Sequence, residues 1–348
     1  MGTTTREPGA ARFGRRGLLA APLALAGCAD RGPTTSAAAQ PGAPLVLRMA
    51  HNLSDAHPTS VAIGRFAEMV AQRSEGRIRV DMYGNGQLGS ETAVLGQLTQ
   101  GIVDITRVAS PGLASRHAGY HAFGLPYVFA SEEAMHAAMD SEAMAGFYRS
   151  TRAQGFVGLT HYTSGARSFY TRDLAVRTPE DLHGLKIRVQ DMRSQTELLE
   201  QLGGAPVVMS FGDTYTALQT GLIDGAESNE TVLTTSAHGE VAKVFSRTAH
   251  TRIPDLLVIS ADAWDRLDPE DQQLVDSAAR ESSVEHRAAW AEAIATAEVE
   301  AGSMGVEFVD DVDTEAFREA ASPVVDAFAA QYPEVADLLT IIDEETRA

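Results

Sequence analysis

Between residues 45 and 260, short apolar runs of strand length alternate with segments whose apolar residues recur every three to four positions. That alternation commits a chain to largely parallel sheet covered by helices, because parallel neighbours need a long crossover and the crossover is usually a helix. The spacing predicts a strand over 45–50, a helix over 59–73 ended by Gly76, a strand over 77–83, a glycine turn, a helix over 91–100 and an apolar strand over 102–108. The rhythm continues with strands at 155–161, 168–170 and 185–189, a helix at 195–202, a strand at 207–209, a helix at 213–220, and strands at 222–227 and 256–260. Residues 269–301 hold no glycine and no proline after Pro269, which predicts one long helix opening an alanine-rich tail. About 300 residues are more than one core usually serves, so an α/β protein of two domains is expected.

The region before residue 45 reads differently. Arg15 and Arg16 precede an apolar run over 18–26 that stops at Gly27-Cys28, the only cysteine of the chain. A spanning helix needs ~20 apolar residues, so this is read as an export signal over residues 1–27. Leu25-Ala26-Gly27-Cys28 resembles the lipobox of bacterial lipoproteins, which implies cleavage before Cys28 and its lipidation, and the paired arginines resemble a twin-arginine signal. Residues 28–44, rich in Ala, Gly, Pro, Ser and Thr, read as a flexible tether. With no cysteine beyond Cys28, neither disulfides nor cysteine-held metals are expected in the folded part.

Charge narrows the partners. The chain carries 28 basic and 47 acidic residues, and loss of residues 1–27 takes the net charge from -19 to -22. Nucleic acid is excluded as an expected partner, since phosphate binding needs a basic footprint. An anionic ligand requires a few arginines focused in one cleft against the overall field.

Gly84-Asn85-Gly86-Gln87-Leu88-Gly89 spells G-x-G-x-x-G after a strand and before a helix, but the acidic residue that a dinucleotide site wants at the end of the following strand is not there; Asp104 lies within it. A tight turn that presents Glu91 at a helix N-terminus is expected instead. His117 and His121 have the i,i+4 spacing of metal ligands, yet no acidic residue lies between them and Gly119 weakens the helix, so packed or surface histidines and no metal site are expected. Gly165-Ala166-Arg167-Ser168 lacks the second glycine of a nucleophile elbow. More informative are Arg167 and Arg188, the latter set in the apolar strand Ile187-Arg188-Val189. Guanidinium is always charged and its planar fork meets a carboxylate in bidentate fashion, so an arginine in such a strand asks for a partner.

Gly203-Gly204-Ala205-Pro206-Val207-Val208-Met209-Ser210-Phe211 and the segment from Tyr215 to Glu227 resemble the solute receptors of tripartite ATP-independent periplasmic (TRAP) transporters, the DctP-like family. Asn85-Gly86-Gln87-Leu88-Gly89, Leu125-Pro126-Tyr127-Val128-Phe129 and Leu185-Lys186-Ile187-Arg188-Val189 match in the same order, so the resemblance covers nearly all of residues 45–277. It implies a two-lobed periplasmic-binding-protein fold, type II-like, with a hinge and a long helix crossing both lobes. Lobe I would comprise 45–164 plus 254–292, and lobe II 165–253 plus 293–348.

The resemblance also implies roles. Arg188 matches the family arginine that holds a ligand carboxylate, and Arg167 a second arginine on the same anion. Asn52 and Glu91 match contacts from the first lobe, and Phe211 matches an aromatic wall. Glu227-Ser228-Asn229 stands where the uronate-binding branch reads Glu-Asn-Asn, placing Ser228 and Asn229 at the ligand and giving Ser228 a shorter reach. Asp191 and Asp255, with Glu91, could accept hydrogen bonds from vicinal hydroxyls. The expected function is an extracytoplasmic receptor, not an enzyme and without cofactor, that binds a small organic acid such as glucuronate or galacturonate and delivers it to membrane permease subunits. Closure of the lobes is the expected mechanism, from an open form with both arginines exposed to a closed form in which the acid bridges them to Asn52 and Glu91. Receptors for a C4-dicarboxylate, an aldonate or sialate, a lipid-anchored sensor for a membrane signalling partner, and an exported sugar-acid lyase or hydrolase are the alternatives.

Overall fold

The computed structural model describes residue 2 and residues 43–347. Cys28, and the expected export signal and tether apart from residues 2, 43 and 44, therefore lie outside the described residues. The chain runs β1 (Leu45–Ala50), α1 (Pro58–Arg73), β2 (Ile78–Tyr83), α2 (Glu91–Thr99) and β3 (Ile105–Ala109), then α3 (Glu132–Asp140), α4 (Glu142–Ser150) and β4 (Phe156–Tyr162). Next come β5 (Arg167–Thr171), β6 (Lys186–Val189), α5 (Arg193–Gln201), β7 (Ala205–Val208), α6 (Thr214–Thr220), β8 (Gly225–Ser228), α7 (Val232–Thr235) and β9 (Val244–Thr251). The remainder is β10 (Asp255–Ser260), α8 (Ala261–Asp265), α9 (Pro269–Ser303), β11 (Glu307–Val309), α10 (Thr314–Gln331) and α11 (Pro333–Arg347).

Two sheets result, as an α/β chain of this size requires. The first has the order β2-β1-β3-β10-β4 and the second the order β11-β9-β5-β8-β6-β7. Within the first, β1, β2 and β3 are parallel and β10 runs antiparallel between β3 and β4. In the second, β6 pairs in parallel with β7 and β8, while β5 is antiparallel to both β8 and β9. The chain thus leaves the first sheet after β4, returns to it at β10 and reaches the second again through α9.

Both faces of the first sheet are buried. One packs against α1, α8 and the front half of α9 through Phe66, Val70, Val275, Ala278 and Ala279. The other packs against α2, α3 and α4, and also receives Val335, Leu338 and Ile342 of α11. The expectation that the whole C-terminal tail belongs with the second lobe is therefore not met by α11. Helix α10 bridges: Phe317 and Ala321 join a cluster on the second sheet, and Val324 and Phe328 join the first-sheet cluster. Helix α9 also serves two cores, since Ala301 near its end packs with Leu218, Phe245 and Val306 of the second sheet. Asp268 caps it by accepting from the Asp271 N–H at 2.9 Å, and its 35 residues make a rod about 50 Å long.

The crossing from β4 to β5 is held tightly. Gly165 has φ +64° and a Cβ there would lie 3.0 Å from Nε1 of Trp290 on α9, so both the conformation and the space call for glycine. The Leu125-Pro126-Tyr127 segment ties the first-sheet layer to the strand that returns: the Tyr127 N–H donates to the His250 carbonyl at 3.0 Å and its hydroxyl to the Thr248 carbonyl at 3.2 Å.

Candidate ligand site

A cleft of about 850 Å³ lies between the ends of the two sheets. It is lined by Asn52, Glu91, Arg167, Arg188, Asp191, Phe211, Ser228, Asn229 and Asp255, so every ligand residue expected from the sequence faces one cavity. What brings them together is topology: β1, β6, β7 and β8 deliver Asn52, Arg188, Asp191, Phe211, Ser228 and Asn229 at or just beyond their C-terminal ends, where open α/β sheets place their sites, while Arg167 and Asp255 begin the antiparallel strands β5 and β10 at the same edges and Glu91 opens α2.

The glycine turn does what its sequence suggests. Asn85 and Gly86 take φ 54° and 67°, and the N–H groups of Asn85 and Gly86 donate to the carbonyls of Leu53 and His51 at 2.9 and 3.1 Å. The turn thereby returns the chain beside β1 and starts α2 with Glu91, capped by Ser90, whose hydroxyl accepts from the Ala93 N–H at 3.4 Å. His117 and His121 hold no metal-like arrangement. His117 accepts from the Gly119 N–H at 3.2 Å, His121 packs 5.0 Å from the Phe328 ring, and no metal-ligating cluster occurs among the described residues.

Arg167 and Arg188 stand on two strands that flank β8, yet they differ in what they hold. Arg167 is closed on itself: Nε and Nη2 both donate to the Glu227 carboxylate, with the Nη2 contact at 2.9 Å, and Nη2 also donates to the Glu227 carbonyl at 2.7 Å. Burial would raise the Glu227 carboxyl, but the Arg167 charge and hydrogen bonds from His250 and Arg167 outweigh it and hold the pKa at about 2. Arg188, only 4% exposed, donates from Nε and Nη2 to the Met209 carbonyl at 3.2 and 3.1 Å and lies 5.8 Å from the Phe211 ring centre. No carboxylate comes within ion-pair distance of it among the described residues. Burial disfavours its charged form and lowers its pKa.

The sequence reading missed Arg107, on β3. Its Nη1 donates to Glu91 at 2.6 Å and to the Asn52 amide oxygen at 3.3 Å, and its Nη2 donates to Asp255. The Glu91 carboxylate also accepts from the Ala109 N–H at 3.2 Å. Burial pushes the Glu91 carboxyl up, against the pull of Arg107. The signal was available: an arginine in the buried strand Ile105-Thr106-Arg107-Val108 invites the same question as Arg188.

The other expected residues divide in two. Asn229 uses its amide oxygen locally, accepting from Thr231 N–H and Oγ1 at 3.1 and 2.6 Å, which leaves its NH₂ group as the donor. Ser228 ends β8 beside it, Asp255 is buried, and Asp191 is exposed at the mouth of the cleft. Arg167 and Arg188 are both buried in this structure, at 6% and 4% exposure.

Chemically the cleft offers one uncompensated guanidinium, an aromatic ring, and a patch of carboxylate and amide oxygens, which is equipment for holding a polar anion. Residues 49–331 match the family model described as bacterial extracellular solute-binding protein, family 7. An uncharacterized protein, YiiZ, of Salmonella typhimurium is 39% identical over 284 residues, covering 81% of this chain and 86% of that one. A TRAP periplasmic solute-binding protein from Anaerococcus prevotii, solved with bound α/β D-glucuronate, superposes with a TM-score of 0.84 at 34% identity, covering 87% of this chain and 98% of that one. Another, from a Sulfitobacter species with bound β-D-galacturonate, gives a TM-score of 0.82 at 33% identity, covering 85% and 99%.

Proposed function

The chain belongs to family 7 of the bacterial extracellular solute-binding proteins, and on that premise we propose that it captures a hexuronate such as glucuronate or galacturonate and hands it to the membrane permease of a TRAP transporter. The observation that carries the reading is Arg188, a buried cation that donates to a carbonyl and has no carboxylate partner within ion-pair distance among the described residues. A buried charge without a counter-ion is costly, and a ligand carboxylate in bidentate contact removes that cost. Bound uronates in two of the similar structures support the ligand class.

In this reading the acid lies with its carboxylate on Arg188 over Phe211, while Arg167, locked to Glu227, braces the strand beside it. Ser228 and the Asn229 amide contact the ligand from the second lobe, and Asn52, Glu91, Asp255 and Asp191 meet its hydroxyls. The lobes we propose are the first sheet with its helices, including 333–347, and the second sheet with its own. The segments linking β4 to β5 and β9 to β10 form the hinge, and α9 crosses both halves. Binding shifts the balance between open and closed forms by the contacts that only the closed form makes. Cys28 is the proposed lipid anchor that keeps the receptor at the membrane. The protein is a receptor and not an enzyme, so a bound uronate returns unchanged.

A thermal-shift screen of the purified protein against uronates, aldonates, C4-dicarboxylates and sialate tests this. A uronate at about 100 times its Kd stabilises by ~2.7 kcal/mol, and chromatography of the incubated ligand finds no product. No shift with any uronate, or turnover of the uronate, overturns it.

A further inference from the structure

The two walls of the cleft carry opposite net charge. On the second-sheet side Arg167 and Glu227 cancel and Arg188 stands alone, so the wall is positive by one. On the first-sheet side two carboxyls, Glu91 and Asp255, share the single guanidinium of Arg107, so the wall is negative by one when both are ionised. Asp191 and Asp213 also line the cleft, but both are exposed, where water weakens a charge most, so the buried groups set the contrast between the walls. Both walls line the same cleft.

The negative wall is also built to accept. Asp255 is 1% exposed, and its Oδ2 is buried with no hydrogen-bond partner among the described residues. Arg107 fixes Glu91, Asp255 and Asn52 in one cluster through three contacts. A hydroxyl can donate to such oxygens; a second carboxylate cannot, and meets like charge instead.

Resting on the reading of the ligand as a sugar acid, we propose that Arg107 is a positioning residue that welds Glu91 and Asp255 into a negatively charged platform, so that the cleft admits a singly charged polyhydroxy acid and rejects its doubly charged counterpart. Selectivity against dianions then lies on the first-sheet wall, opposite the arginine that supplies affinity. It works by repulsion as much as by attraction, as specificity often does.

Calorimetric titration with D-glucuronate and D-glucarate, which carries a second carboxylate, reads this out. The unaltered protein should bind glucarate at least about a hundredfold more weakly. Glu91→Gln and, separately, Asp255→Asn keep an acceptor oxygen and remove one negative charge, and in whichever variant retains the parental melting profile the gap should narrow about tenfold. Arg107→Lys, a point charge that cannot fork across two carboxylates, should weaken glucuronate more than Glu91→Gln does. Equal binding of the two acids by the unaltered protein, or an unchanged gap in the variants, overturns the inference while leaving the receptor reading intact. Absence of uronate binding overturns both.

Discussion

The two walls of the cleft solve the problem of buried charge in opposite ways. The first-sheet wall answers it largely internally, with a guanidinium from β3 shared by carboxyls from α2 and β10. The second-sheet wall answers half of it: Arg167 has Glu227, whereas Arg188 has a carbonyl and a ring. The Arg107 cluster braces the empty protein and can orient a guest through the guest's hydroxyls, but only the uncompensated cation can attract an anion. Affinity and orientation are therefore assigned to different strands.

The comparison breaks most easily at Arg188. Arg188→Ala should lower uronate affinity by about a thousandfold, the loss of a fully desolvated charge pair, with little cost to the empty protein because no protein carboxylate is orphaned. Titration calorimetry reads the affinity, and a loss under tenfold would mean that Arg167 can take the carboxylate on its own. Glu227→Gln sharpens the contrast from the other side by turning Arg167 into a second uncompensated cation. Breaking a buried pair this way should cost about 3–5 kcal/mol of stability, measured by urea unfolding; an unchanged midpoint would show that the pair contributes nothing.

Acidification tests what surrounds both walls. Burial, first, and the Arg107 charge hold His51 at about 4 and His57 at about 3 beside the first wall. Burial, with Arg188, holds His238 at about 4 beside the second. These histidines are neutral when folded and take up protons on unfolding below their ordinary value of about 6.5. Their contribution is complete above pH 6.5 and is lost as pH falls toward 4 and 3. Near pH 5 roughly three protons bind on unfolding, a slope of about 4 kcal/mol per pH unit. Glu227 adds to the loss below about 4.5, as the pH approaches its folded value of about 2. A melting temperature that stays flat from pH 7 to 5 would rule the histidine account out.

The alternation of strand and helix was legible from the apolar periods, whereas most of the nine residues that line one cleft were reached through the resemblance to a family, because no apolar period marks them. Register at the strand starts was less so. Ile102 and Leu222 read as strand residues but are 48% and 60% exposed, each just after a left-handed glycine, Gly101 and Gly221. Strand β9 was hidden because its inward positions are polar: Ser246, Thr248 and His250 are buried in hydrogen bonds, so no apolar period marks it. The ion pairs were out of reach for a different reason. Arg167 finds Glu227 60 residues away, and Arg107 finds Asp255 148 residues away. Nothing local in the sequence distinguishes an arginine with such a partner from one without.

Helix α9 puts a mechanical limit on independence between the halves. Its front half is part of the packing under the first sheet and its end part of the packing under the second, and between them runs unbroken hydrogen-bonded backbone. Melting either core frees one end of the rod and strips apolar support from the other. Two sheets that could move relative to each other should for this reason unfold as one cooperative unit, and calorimetry is expected to find a single transition whose calorimetric and van't Hoff enthalpies agree.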